Sequence, residues 1–168
     1  CVPRDVSVTI LISPWSRDMT DKKPSPKNYP RWADVAAGLR MKGFEVHQVS
    51  CSGEPAVQGC QGRWDNLRLR DIYPLMQGCD TWISVDNFWH HMAWTLKQPG
   101  VVIFGSSDPL IFGHTENINL LKDRSYLREK QFWLWSQTEA KAEMWIGPEA
   151  VVSAAVLSIE NRKKRLKA

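Results

Sequence analysis

The sequence lacks the features that mark several special classes of protein. No run of apolar residues approaches the roughly 18 that a membrane-spanning helix needs. The start, CVPRDVSVTI, has neither the basic segment nor the long apolar core of a signal peptide. The first residue is Cys1 rather than methionine, which leaves excision from a longer chain open. These absences predict a soluble, cytoplasmic protein without a membrane span.

Cysteine is scarce and irregularly spaced. The four cysteines form no CxxC pair. A chain of this length buries roughly 70% of its unfolded surface, so it needs no disulfides for stability. We therefore expect free thiols, with a bridge between the loop residues Cys51 and Cys60 as the alternative. The length also predicts a single domain over residues 1–168.

The excess of positive charge is small. A net charge of +4, from 22 Lys and Arg against 18 Asp and Glu, suits an anionic ligand. It is too low to indicate nucleic acid as the main partner. The basic end of the chain, residues 161–168, is interpreted as a solvated helix end whose cations oppose the negative pole of the helix. Nucleic-acid contact is the minor alternative there.

Apolar runs alternate with helical patterns along the chain. Main strands are expected at residues 5–13, 44–50, 81–85 and 100–105, and an edge strand at 117–121. Helices are expected at residues 30–43, 87–97 and 147–167, with a loop over 51–64 and a short strand and helix within 67–79. This alternation predicts a Rossmann-like, three-layer α/β/α sandwich with a mainly parallel sheet.

Small polar residues follow each main strand. They lie at residues 13–16, 50–54, 86–87 and 105–108. In an open parallel sheet, ligands bind beyond the carboxyl ends of the strands, because helix N-termini and loose backbone amides converge there. A single strand exit of this kind, meaning the segment that follows the end of a strand, is often an ordinary turn. Four such exits together predict a ligand crevice.

The third exit, in the segment ISVDNFWHHMAW, combines a carboxylate with two histidines. Asp86 or Asn87 is suited to cap the helix that follows, which is apolar nearly all round and mostly core. His90 and His91 lie about 100° apart on a helix, and neither has an i+4 partner, so no metal site is predicted. His91 either donates to an anion at the helix N-terminus or is a satisfied core histidine.

Several stretches resemble glycosyltransferase family 9, the ADP-heptose lipopolysaccharide heptosyltransferases. CDTWISVDNFWHHMAWTLKQPGVVIFGSSDP resembles the family segment in which an aspartate ends a strand and a histidine precedes an alanine-rich helix. SPWS with SPKNYPRWADVAAGL resembles the first strand, loop, lysine and helix of the C-terminal domain. SCSGEP resembles a strand ending in glycine and glutamate, and EMWIGPEAVVSAAV resembles the closing helix. The resemblance covers nearly the whole chain in the family's order.

The resemblance implies the C-terminal, donor-binding half of a GT-B glycosyltransferase, with a nucleotide-activated sugar of the ADP-heptose type as its ligand. Asp86 would hold the sugar, Lys27 would neutralise phosphate charge, and Glu54 would hold ribose hydroxyls. His91 would face the diphosphate. The remaining substrate-binding residues implied are Asn87 and Phe88 beside the diphosphate and Ser13, Trp15 and Ser16 in the loop after the first strand.

The sequence departs from the family pattern at two points. Phe88 stands where the family has a glycine. Only one Rossmann-like domain fits in 168 residues, so the acceptor site and the catalytic base would belong to another domain or chain. No metal or cofactor is implied, because a lysine, a histidine and a helix N-terminus stabilise the leaving diphosphate.

Two functions follow from these observations. The first is a glycosyltransferase, or its donor-binding part, whose partners are a nucleotide-sugar and either a second copy or an acceptor-binding domain. The second is a non-catalytic, stand-alone module that binds a nucleotide or a protein. Core packing is expected for most of the nine tryptophans, while Trp133 and Trp135 suit either a core or an interface.

Overall fold

The protein folds around a single parallel sheet. The computed structural model describes residues 7–19, 22–133 and 138–167. The strands are β1 (Thr9–Ser13), β2 (Glu45–Ser50), β3 (Gly62–Asp65), β4 (Thr81–Val85), β5 (Val101–Phe104) and β6 (Ile118–Leu121). The helices are α1 (Trp32–Met41), α2 (Leu69–Gly78), α3 (Phe88–Thr95), α4 (Pro109–Phe112) and α5 (Pro148–Arg165). The strand order is β3-β2-β1-β4-β5-β6, and all neighbours pair in parallel.

Helices cover both faces of the sheet because its central strands are apolar on both sides. Ile10 and Ile12 of β1 pack with α1 and α5 in one cluster of buried residues. Leu11, between them, packs with α2 and α3 on the opposite face. Successive side chains of a strand point to opposite faces, so one apolar run supplies both cores. The predicted three-layer α/β fold with a parallel sheet is therefore confirmed.

The predicted element types hold except between residues 51 and 79 and at the short helix α4, which lies in a segment predicted as a loop. β3 lies inside the segment predicted as a loop, and its side chains are mostly exposed, so GRWD shows no apolar alternation. The predicted strand and helix of residues 67–79 form one helix, α2, which buries Ile72 and Met76 at helical spacing. Residues 5 and 6 of the first predicted strand lie outside the described residues. The predicted edge strand is present as β6.

The structure tests the predictions made for cysteine and for tryptophan. Cys51, Cys60 and Cys79 are free, so the alternative Cys51–Cys60 bridge is not formed. Half of the eight described tryptophans are buried, namely Trp32, Trp82, Trp89 and Trp145. Trp133 is 71% exposed, and Trp135 lies outside the described residues. Trp15 is partly buried and packs against the core as well, so five of the eight described tryptophans contribute to core packing, as predicted for most of them.

The closing helix is attached to the sheet along its length. The segment Ala142–Arg165 is long and apolar enough to span a membrane by length and composition. Within it, however, Val151, Ala155 and Ile159 of α5 are buried in the core cluster, which is the position of a core helix. The basic end of α5 is not purely solvated, because Arg162 donates to Gln98 Oε1 at 3.1 Å and to the Gln77 carbonyl at 2.9 Å.

Candidate functional site

The centre of the sheet contains a topological switch point between β1 and β4. The chain runs from β1 through α1 to β2 on one side, and from β4 through α3 to β5 on the other. Since α1 and α3 pack on opposite faces, the loops after β1 and β4 diverge and leave a crevice between them. Ser13 pairs with Ser84, so the loop after β1 lies beside Asp86.

Asn87 joins the loop after β1 to the start of α3. Its Oδ1 accepts a hydrogen bond from the Trp89 amide at 2.9 Å, so Asn87, rather than Asp86, is the N-cap. Its Nδ2 donates to the Ser13 carbonyl at 3.2 Å, to Ser13 Oγ at 3.1 Å and to the Trp15 carbonyl at 2.9 Å. The Asn87 side chain thus holds the two walls of the crevice together.

Asp86 lies between a lysine and a histidine. Its residue surface is only 3% exposed. Oδ2 lies 2.7 Å from Nζ of Lys27, which reaches in from the loop before α1 with its side chain 22% exposed. Oδ1 lies 3.2 Å from Nε2 of His90, one helical turn further on. The structure therefore brings together two of the residues singled out from the sequence, Asp86 and Lys27, and adds His90.

The surroundings of Asp86 keep its carboxyl group ionised. Burial raises its pKa, but the hydrogen bond to His90, the charge and hydrogen bond of Lys27, and a hydrogen bond from Ser107 outweigh burial. Together they hold the pKa of Asp86 well below its ordinary value of 3.8. Ser107 comes from the exit of β5, where the sequence shows small polar residues. An ionised, buried carboxylate is suited to accept hydrogen bonds from hydroxyl groups.

The loop after β1 forms part of the lining of two cavities. One has a volume of about 1060 Å³ and the other of about 470 Å³. Both volumes are of the size that holds small-molecule ligands. Six of the nine residues predicted to bind substrate line the smaller cavity, namely Ser13, Trp15, Ser16, Glu54, Asn87 and Phe88. Trp15, Ser16 and Glu54 also line the larger one.

Glu54 lies in the loop after β2, next to the hydrogen bond that joins this loop to the loop after β1. Its Oε2 accepts a hydrogen bond from the Cys51 amide at 2.7 Å. Burial raises the pKa of Glu54, and the Cys51 amide and the charge of Arg63 oppose that rise. The Trp15 indole donates to the Pro55 carbonyl at 2.9 Å, which ties the two loops together. The Glu54 carboxyl group therefore lies at a fixed place in the walls of both cavities.

Phe88 occupies the family's glycine position without filling the crevice. Its side chain is 56% exposed at the first residue of α3. The described non-glycine residues with positive φ are Lys22, Asn66 and Lys97, so Phe88 has no left-handed backbone that would require glycine. Phe88 is one of the residues that line the smaller cavity.

Three histidines, His90, His91 and His114, form a cluster beside Asp86. His91 Nδ1 lies 3.0 Å from His114 Nε2, and the His90 and His91 ring centroids are 3.8 Å apart. His90 is fully buried, whereas His91 is exposed. Burial, followed by the charge of His90, lowers the pKa of His91 to about 4, so this ring is neutral at physiological pH.

Sequence reasoning missed this cluster. The absence of an i+4 partner for His90 and His91 predicted no metal site, but His114 approaches them from a loop 23 residues later than His91. Within the described ranges, these histidines are the one group of at least three potential metal-ligating side chains with ring nitrogens or equivalent atoms within 4.8 Å of one another. Loop contacts of this kind leave no spacing signal in the sequence.

Fold and crevice define a Rossmann-like α/β domain with a polar, partly charged pocket at its switch point. The profile of glycosyltransferase family 9 (heptosyltransferase) matches residues 9–141. The chain belongs to this family, as its sequence motifs predict. No curated protein sequence matches the chain.

Solved structures of a family 9 glycosyl transferase and of heptosyltransferases share the fold. The chain matches a family 9 glycosyl transferase from Veillonella parvula DSM 2008 with a TM-score of 0.67 and 16% identity, covering 92% of this chain and 46% of that one. It matches ADP-heptose lps heptosyltransferase II from E. coli with a TM-score of 0.64 and 16% identity, covering 94% and 48%.

A third neighbour is TibC from enterotoxigenic E. coli, a dodecameric, iron-containing heptosyltransferase solved in complex with ADP-D-beta-D-heptose. It aligns with a TM-score of 0.57 and 16% identity over 95% of this chain and 45% of that chain. The chain thus spans about half the length of these structures. The predicted likeness to half of a GT-B glycosyltransferase is confirmed at the level of fold.

Proposed function

We propose that this chain is the donor-binding part of a family 9 glycosyltransferase and that its crevice binds a nucleotide-activated sugar of the ADP-heptose type. The observation that carries the proposal is the ion pair between Lys27 and Asp86, 2.7 Å apart at the switch point. Membership of family 9 supports it, as does the ADP-heptose bound in the TibC structure. We further propose that the protein acts in the cytoplasm.

Each charged residue would contact a different part of the donor. Ionised Asp86 would accept hydrogen bonds from sugar hydroxyls. The Lys27 ammonium pairs with Asp86, and its positive charge would attract a diphosphate. The first amides of α3, at Asn87 and Phe88, carry the positive end of the helix dipole, which favours an anion in the same place. Neutral His91 would contribute an N–H donor rather than a positive charge.

The remaining residues would hold the nucleoside. Glu54 is suited to accept hydrogen bonds from ribose hydroxyls, because its carboxylate lies in the walls of both cavities. Ser13, Trp15 and Ser16 would line the path between them. Trp15 offers an aromatic face that suits a purine or pyrimidine ring.

The proposed transfer is an inverting displacement. An acceptor hydroxyl attacks the anomeric carbon while the bond from that carbon to the diphosphate oxygen breaks, and the hydroxyl proton passes to a base. The base would come from the acceptor-binding half, in another domain or chain. Lys27, the His91 N–H and the α3 N-terminus would stabilise the charge that develops on the diphosphate, so the step needs no metal or cofactor.

Calorimetry against ADP, UDP, GDP and their sugar conjugates tests this function. We expect one nucleotide-sugar to bind, and Asp86→Asn and Lys27→Met to weaken it roughly 10- to 100-fold, as for the loss of a charge-assisted hydrogen bond. Asp34→Asn on α1 and Lys42→Met just after it make the same chemical changes away from the ion pair and should bind normally. Absence of binding to every compound would refute the proposal.

A non-catalytic module is the second candidate function. The exposed Phe132 and Trp133, at 62% and 71%, favour it because such side chains are common at protein interfaces. A chain that binds no nucleotide in the calorimetry but associates stably with itself or another protein would support this function instead of the first.

A further inference from the structure

The cluster of His90, His91 and His114 has the spacing of metal ligands. One ring nitrogen of each lies within 4.8 Å of one from each of the others. Bonds of about 2.05 Å from a tetrahedral Zn²⁺ to two imidazole nitrogens place those nitrogens about 3.3 Å apart. The 3.0 Å between His91 Nδ1 and His114 Nε2 differs from this by only a few tenths of an ångström.

His90 supplies an independent observation that points to a ligand. The residue is fully buried, and its Nδ1 has no hydrogen-bond partner among the described residues. Leaving a buried polar atom without a partner is unfavourable. Its other nitrogen, Nε2, is engaged by Asp86 at 3.2 Å. In metal sites, a histidine usually donates a hydrogen bond from one ring nitrogen to a carboxylate or carbonyl group and binds the metal through the other ring nitrogen.

His114 is held in place by its neighbours. The Trp94 indole stacks on its ring with centroids 4.7 Å apart and planes 7° from parallel. The His114 carbonyl accepts hydrogen bonds from Asn119 Nδ2 at 2.9 Å and from the Asn117 amide at 3.1 Å. His91, by contrast, is exposed, so an ion has a path from solvent to the cluster.

We propose that His90, His91 and His114 bind one divalent first-row transition ion, with Zn²⁺ the best suited. Three imidazole ligands favour Zn²⁺, Co²⁺, Ni²⁺ or Cu²⁺, whereas Mg²⁺ and Ca²⁺ prefer oxygen. A site with three protein ligands leaves a fourth position open to water or another small ligand. Asp86 is a positioning residue, because it orients the His90 ring that would bind the ion. The ligands are all side chains of this chain, so the site does not depend on nucleotide binding.

Titration of the nucleotide-free chain with Co²⁺ and Zn²⁺ tests the proposal. We expect one ion per chain and the intense visible absorption of tetrahedral Co²⁺, without the near-ultraviolet band of a thiolate ligand. His91→Gln and His114→Gln should each weaken binding at least about tenfold, since each removes a ligand. Asp86→Asn should weaken it about 10- to 100-fold through the loss of the outer partner.

The chain offers a matched control in its fourth histidine. His47→Gln makes the same change on β2 and should leave metal affinity unchanged. His91 and His114 lie outside the buried core, so their variants are expected to keep the far-ultraviolet circular dichroism of the parent. Equal affinity in the parent and both cluster variants, a thiolate band, or no binding at millimolar metal would each overturn the proposal. The titration contains no nucleotide, so failure of donor binding does not affect its outcome.

Discussion

The carboxyl group of Asp86 links the site to the stability of the fold. Its folded-state pKa lies below 3.8, so its ionised form is stabilised by folding. The stability it contributes is present above the unfolded pKa and is lost as pH falls through the lower, folded value. Asn in its place keeps the shape but removes the charge, and leaves Lys27 beside a neutral group.

We expect Asp86→Asn to lower the free energy of unfolding by about 3 kcal/mol at neutral pH, the low end for a broken buried ion pair. The difference from the parent should shrink as pH falls below about 4, because the carboxyl group of the unfolded parent then binds a proton that the folded one does not. Urea unfolding over a pH series, with a chelator present, measures it. Asp34→Asn, in the exposed pair with Arg31, should change stability by less than about 1 kcal/mol. A difference that stays constant with pH would contradict this assignment.

Some site residues follow from the sequence and others do not. Asp86 ends an apolar strand, so both the rule for strand ends and the family motif predict it. Lys27 lies in the loop before α1, and the family motif predicts it. The contact of His90 with Asp86 depends on which face of α3 meets the sheet, and the sequence leaves that open because α3 is apolar nearly all round. His114 depends on a loop path that no periodicity records.

Helices α1 and α5 pack closely at a glycine. A Cβ at Gly38 would lie 2.9 Å from Cγ2 of Val152, a short-branched side chain with little freedom to move. At Gly78, near the end of α2, nothing lies within 4 Å of the corresponding Cβ. The two glycines are both helical, but only the first sits at a close helix contact.

Gly38→Leu is therefore expected to destabilise the protein by about 1 to 3 kcal/mol through overpacking. Gly78→Leu is the matched control and should be neutral or stabilising by up to about 1 kcal/mol, because leucine favours a helix over glycine. Thermal or urea unfolding compares the two. If both variants lose the same stability, the close contact between α1 and α5 is not what limits side-chain size at Gly38.

Elements with a buried face are the ones that the sequence predicts. β4 and β5 are apolar throughout and lie in the middle of the sheet, and their positions agree with prediction to within a residue or two. β3 has a short, mostly exposed sequence at the edge of the sheet, so burial leaves no pattern in it. The sheet order itself comes from long-range pairing, which one sequence does not reveal.

The molecule exposes large apolar side chains that its own core does not cover. Leu110 is 80% exposed, and Phe132 and Trp133 are 62% and 71% exposed. Side chains of this kind mark surfaces that meet another protein more often than isolated surface residues do.

We expect the chain on its own to associate as its concentration rises, giving a mass above the 19.3 kDa of one copy in light scattering. The double variant Leu110→Lys, Trp133→Lys should shift association to concentrations at least about tenfold higher, since a charge opposes burial of either side chain. Met41→Lys adds the same charge at a side chain that is 89% exposed at the end of α1, and should have no effect. A monomeric parent at all concentrations would contradict the expectation.

The switch point between β1 and β4 has a thermodynamic consequence. Walls of the crevice come from Ser13 and from Asp86, which are far apart in sequence and adjacent only when the sheet has formed. A ligand held there has no comparable binding partner in the unfolded chain, so its affinity adds to global stability by mass action. Melting temperature then becomes a reporter of occupancy, and partial opening of either half of the chain releases the ligand.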